Sequence, residues 1–152
     1  MTAVLEKFGV RVPYPENWIV EEGANPHWPE SFSIVSPQGA FWSLSIHGGS
    51  ENLPELAAVV LNAIREEYEE VEAEAVRESI AGTDLIGFRL SFFCLDLLIQ
   101  AECRAFSLGN RKFVVLYQGE DRDFSRQLAV FEAMTRSVVD RELAERISHL
   151  AP

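Results

Sequence analysis

Cysteine and histidine are scarce in this chain, with two Cys and three His among 152 residues. Cys94 and Cys103 match no metal or redox spacing, so two free, buried thiols are expected. His27, His47 and His149 form no HxxxH pair, and a zinc or other transition-metal site needs three or four nitrogen or sulfur ligands at short spacing. Neither a metal nor a cofactor is expected. Glycine-rich phosphate loops are missing, since neither GxGxxG nor GxxxxGK(S/T) occurs. The GxSxG elbow of serine hydrolases is missing as well. His47-Gly48-Gly49-Ser50 resembles an oxyanion loop only superficially and reads as a strand-to-helix turn.

Positive charge is also in short supply. There are 13 Lys and Arg against 24 Asp and Glu, a net charge of −11. Such a surface has no cation surplus with which to release counterions from nucleic acid or to meet anionic headgroups, so neither nucleic acid nor membrane is an expected partner. The most apolar stretch, Ile86 to Ile99, is broken by Arg89, Ser91 and Asp96 and is too short to span a bilayer. No secretory signal is recognisable at the start of the chain, and a cytoplasmic location is expected.

What is present suits one folded unit. The length fits a single domain over residues 1–152, with a core at about 8–139 and a helical extension at 140–150. Phe8, Val10 and Val12 alternate with polar or small neighbours and predict a strand, which Pro13 and Pro15 should stop. Asn17–Glu21 is a short second strand. Glu22–Ser31, with Gly23, Asn25, Pro26 and Pro29, is a loop. Phe32 and Ile34, then Phe41, Leu44 and Ile46, fall in two strands joined by the turn at Pro37-Gln38-Gly39.

A helix follows. Asn52 caps it with Glu55 as capping-box partner, and Pro54 sits in the first turn, where its missing N–H is no loss. Leu53, Leu56, Val60, Ile64, Tyr68 and Val71 form its apolar stripe. Strands then run from Val76 to Gly82, from Leu85 to Cys94, from Leu97 or Leu98 to Ser107, and from Lys112 to Gln118. The turns lie at Leu95-Asp96 and Gly109-Asn110. A last helix is capped by Asp123 or Ser125 and striped by Phe124, Leu128, Phe131, Met134 or Thr135, and Val138.

Short turns force the later strands to pair antiparallel. The runs LSFFCLDLLI and FVVLY suggest burial on both faces, and two amphipathic helices supply the covers. The expected architecture is α+β: an α/β/α sandwich with a central, mostly antiparallel sheet flanked by two or three helices. Trp18 and Trp42 belong to its core.

The segment FGVRVPYPENWIV, with Tyr14, Pro15, Glu16, Asn17 and Trp18, resembles the opening of the PsbP-like superfamily. That superfamily also includes the DcrB-like bacterial proteins and a Ran-binding nuclear-import factor. The ending, GNRKFVVLYQGEDRDFSRQLAVFEAMTRSV (Gly109–Val138), is similar to the family's hairpin, acidic turn and last helix. The resemblance covers Phe8 to Val139. It implies the same sandwich and a non-catalytic role in binding other proteins or stabilising assemblies, and it carries over no catalytic residue.

Two features point toward a partner surface. Seven of the thirteen residues Glu66–Glu78 are Glu, among them Glu66, Glu67, Glu69 and Glu70, which suits a partner of basic character. Trp28, beside His27 in the polar loop, is a candidate anchor, since Trp is enriched at binding hot spots. The leading expectation is therefore a protein-binding or adaptor module. Two alternatives stand beside it. One is a small-ligand binder or enzyme with a pocket between sheet and loop, using His27, His47 and Arg89. The other is a homodimeric scaffold built on Leu143, Ile147 and Leu150.

Overall fold

A computed structural model of the chain describes residues 1–23, 28 and 30–140. The strands are β1 (Thr2–Lys7), β2 (Val10–Pro15), β3 (Ile19–Glu22), β4 (Ser31–Val35), β5 (Phe41–His47), β6 (Glu72–Ile80), β7 (Thr83–Cys94), β8 (Leu97–Leu108) and β9 (Arg111–Glu120). The helices are α1 (Leu53–Glu67) and α2 (Asp121–Val139). Seven strands form one sheet in the order β3-β4-β5-β9-β8-β7-β6, with every neighbouring pair antiparallel. The expected sandwich is the fold observed. The proposed extension and its Leu143, Ile147 and Leu150 lie outside the described residues.

The two helices occupy opposite faces. α1 presents Leu56, Val60, Leu61 and Ile64 to Leu90, Phe92 and Val114. Under it β8 carries Ala101, Cys103 and Ala105 at its buried positions, with Ile99 packed at the margin, and the small side chains let the helix lie close to the sheet. On the other face α2 presents Phe124, Phe131, Met134 and Val138 to Phe32, Trp42, Phe106, Phe113 and Tyr117. Trp42 is fully buried there. Its Nε1–H donates to Thr135 Oγ1 at 3.0 Å, so the indole is buried without an orphaned donor. Trp18 packs edge-on against Phe131.

Several boundaries differ from the sequence reading. Pro13 and Pro15 do not end the strand: β1 and β2 form a hairpin in which they pair with Val4 and Thr2. Glu16 N–H donates to Met1 O, which places Val10, Val12 and Tyr14 at the hydrogen-bonding positions. The prolines fall between these, where the ladder asks for no donor. The turn of this hairpin is Phe8-Gly9, both at positive φ, an unusual pair that hid β1 from sequence analysis.

α1 begins as expected, with Asn52 Oδ1 accepting from Glu55 N–H at 2.9 Å. It ends at Glu67; Tyr68 turns extended, and Val71 lies beyond the helix. α2 is capped by Glu120, not Asp123 or Ser125. The Glu120 carboxylate accepts from the N–H groups of Arg122 and Asp123. Asp123 is instead turned inward, and its Oδ2 has no hydrogen-bond partner among the described residues.

Candidate functional site

The acidic block lies where α1 hands over to the sheet. Glu66 and Glu67 close the helix, Glu69 and Glu70 form the turn, and all four are exposed. The chain then enters β6, a nine-residue strand at the end of the sheet that, among the described residues, is hydrogen-bonded on one side only, to β7. Only Val76 and Ile80 of its residues are even partly buried. Period-two alternation puts Glu72, Glu74, Val76 and Glu78 toward the α2 side. Ala73, Ala75, Arg77 and Ser79 face the α1 side.

Behind this edge lies a charged ladder that sequence analysis did not anticipate. Arg104 on β8 is 2% exposed and pairs with Glu102, itself 5% exposed. Arg104 also crosses β7 to Glu78 on β6, Nε to Oε1 at 3.0 Å. Arg89 on β7 joins Glu102 at 3.5 Å and Glu74 at 3.7 Å. Burial by itself would lower the Arg104 pKa, but the carboxylates of Glu102 and Glu78 hold it above its ordinary value, so the guanidinium stays charged. Tyr117 stands beside this ladder on β9, its phenol pushed upward chiefly by burial and further by Glu102.

Crossing β7 requires room, and Gly87 provides it. Gly87 is the register partner of Arg104. A Cβ there would stand 1.8 Å from the Cys103 carbonyl oxygen, which itself accepts from Arg104 Nη1 at 2.8 Å.

At the same end of the sheet the β7–β8 hairpin is apolar at its tip. Phe93, Leu95 and Leu97 are 62, 93 and 55% exposed, which corrects the expectation that these runs are buried on both faces. Burial holds for their centres, at Leu90, Phe92, Val114 and Val115. A cleft of about 390 Å³ lies between Phe93, Leu98, Glu70 and Glu72. A second, of about 270 Å³, lies on the α1 side between Pro54, Ala57, Ala75, Ile86 and Phe88.

The alternative pocket forms elsewhere. Trp28 folds back over the sheet, edge-on to His47 at 5.2 Å, above Ser31, Ser33, Ser43 and Ser45. Ser45 Oγ and His47 Nε2 are 2.8 Å apart. Burial lowers the His47 pKa, with Glu51 opposing, which favours the neutral imidazole. The backbone of β5 is committed to ladders with β4 and β9 on either side. The space beneath Trp28 is about 180 Å³, below the roughly 300–1,000 Å³ of ordinary ligand pockets. Arg89 is on the opposite face of the sheet, so it does not join His47, and His27 lies outside the described residues.

The two cysteines are free. In register Cys94 faces Leu97 and Cys103 faces Phe88, and burial pushes the Cys103 thiol up. Cys94 is only half-buried. Among the described residues no group of three His, Cys, Asp or Glu is placed to hold a metal ion, and no helix is long and apolar enough to cross a membrane.

No family model matches the sequence, and no curated protein matches it. Solved structures do. The chain is similar to cyanobacterial PsbP (CyanoP) from Synechocystis sp. PCC 6803, with 14% identity and a TM-score of 0.66 over 90% of each chain. It is also similar to PA94 from Pseudomonas aeruginosa, a protein of unknown function, with 9% identity and a TM-score of 0.54 over 90% of this chain and 94% of that one. CyanoP is among the extracytoplasmic or lumenal proteins that carry this fold, which overturns the cytoplasmic location expected from the sequence. At these identities the likeness is one of fold: the chain has the PsbP-like fold.

Proposed function

We propose that this chain is a non-catalytic protein-binding module that meets its partner at the β6 end of the sheet. The observation that carries the reading is the coincidence there of an open nine-residue strand, the exposed glutamates and the apolar hairpin tip. The fold supports it, as that of proteins with an interaction role. The partner has basic character, since Glu66, Glu67, Glu69, Glu70, Glu72 and Glu74 outnumber Arg77 and Arg89 on this surface. Exposed charges of this kind act mainly on encounter rate and salt dependence.

Affinity capture from the native extract tests the reading. Wild type retains a partner at low salt, and the quadruple variant Glu66→Gln, Glu67→Gln, Glu69→Gln, Glu70→Gln retains about tenfold less of it. Equal retention by both at low salt would remove the acidic surface from the account.

A further inference from the structure

We infer that β6 is an acceptor for strand addition, and that its occupant is an extended segment with basic side chains at alternate positions. This rests on the protein-binding reading and names the mode and chemistry of the partner.

The β6–β7 turn sets the phase of the ladder. Ala81 and Gly82 have φ of 50° and 81°, the two positive values of a tight two-residue hairpin. Its flanking pair, Ile80 and Thr83, is hydrogen-bonded, and alternation along the ladder gives Glu78, Val76, Glu74 and Glu72 the same standing. The N–H and C=O groups of Ala73, Ala75, Arg77 and Ser79 therefore point away from the sheet. They form a row of open donors and acceptors, the template on which another strand pairs.

Side-chain chemistry selects what pairs there. On the α2 side, an added strand meets Glu72, Glu74 and Glu78. These residues occupy the non-hydrogen-bonded positions toward the newcomer, where facing side chains approach most closely. Glu78 and Glu74 already pair with Arg104 and Arg89, but their side chains stay 42 and 71% exposed, so Lys or Arg at alternate positions shares these carboxylates and meets Glu72 as well. On the α1 side the newcomer meets Ala73 and Ala75, which leave space, and the cleft bordered by Pro54, Ala57 and Phe88. Small or branched apolar residues fit between the basic ones.

A second copy of this chain does not meet the requirement. Antiparallel pairing of β6 with itself about Val76 sets Glu74 against Glu78. Pairing about Ala75 sets Glu72 against Glu78, and pairing about Arg77 sets that arginine against its twin. Like charges directly opposed disfavour each register. The edge is thus guarded against its own kind and open to the opposite charge. Arg104 holds it in place, since its link to Glu78 ties β6 to the buried centre of the sheet across β7.

The test uses the full chain and a fluorescent nine-residue peptide alternating lysine with valine. The control peptide has the same composition with its lysines and valines in two blocks. Anisotropy is expected to show saturable, salt-sensitive binding of the alternating peptide, with the block peptide at least about tenfold weaker. The amide signals of Ala73, Ala75, Arg77 and Ser79 should be the ones that shift. Ala75→Pro removes one outward N–H at an edge position that tolerates proline, and should weaken the alternating peptide about tenfold or more with an unchanged circular dichroism spectrum. Equal binding of the two peptides, or binding untouched by Ala75→Pro, overturns strand addition. So does concentration-dependent self-association that Ala75→Pro abolishes. If the extract partner is still captured by Ala75→Pro, strand addition falls while the protein-binding reading stands. If wild type captures no partner at all, that broader reading falls with it.

Discussion

Replacing Arg104 by methionine is expected to destabilise the fold by about 3–5 kcal/mol, measured by denaturant unfolding. The hydrophobic volume of methionine is adequate. What it cannot do is neutralise Glu102, which is 5% exposed and would keep only Arg89 at 3.5 Å. A buried carboxylate stripped of its closest partner carries most of that penalty. The double variant Glu102→Leu, Arg104→Met should recover most of the loss, because removing both charges also removes the need to desolvate them. The pair is therefore expected to couple strongly in a double-mutant cycle. Additive losses would mean that the two side chains act independently.

Gly87→Ala should be nearly as damaging, at about 3 kcal/mol, although it adds a single methyl group. The new Cβ would meet the Cys103 carbonyl oxygen at 1.8 Å and the Arg104 Cα at 3.1 Å, and both are backbone atoms with no rotamer to escape into. The strands β7 and β8 must part locally, which also disturbs the acceptor of Arg104 Nη1. The effect should therefore spread to the edge: in Gly87→Ala, exchange of the β6 amides rises together with global stability loss. A variant as stable as wild type would show that this register does not hold.

Much of the sandwich was legible in the sequence because its signals are local. Asn52 with Pro54 marks the start of α1, Gly109-Asn110 marks a hairpin, and the spacing of Phe124, Phe131 and Val138 marks the buried side of α2. What was not legible depends on tertiary placement. The prolines of β2 are compatible with a strand because of where the ladder places its donors, which no residue type reveals. Glu120 displaces Asp123 as the cap because the chain leaves β9 directly into the helix. Glu102 and Arg104 sit in an apolar run whose charges look like interruptions until Glu78, Arg89 and Gly87 are brought beside them from other strands. Phe93 and Leu97 share the composition of buried neighbours, but they lie at a hairpin tip that neither helix reaches. The acidic block was visible as composition. Its meaning, half of it lying along an open strand, came only with the sheet order.

Amide hydrogen exchange along Glu72–Ile80 in the free protein reads most directly whether β6 is an open edge. Alternation is expected: Ala73, Ala75, Arg77 and Ser79 exchange rapidly, while Glu74, Val76 and Glu78 are held by β7 and exchange slowly. Uniform protection along the strand would contradict it, because the outward amides would then already have a partner.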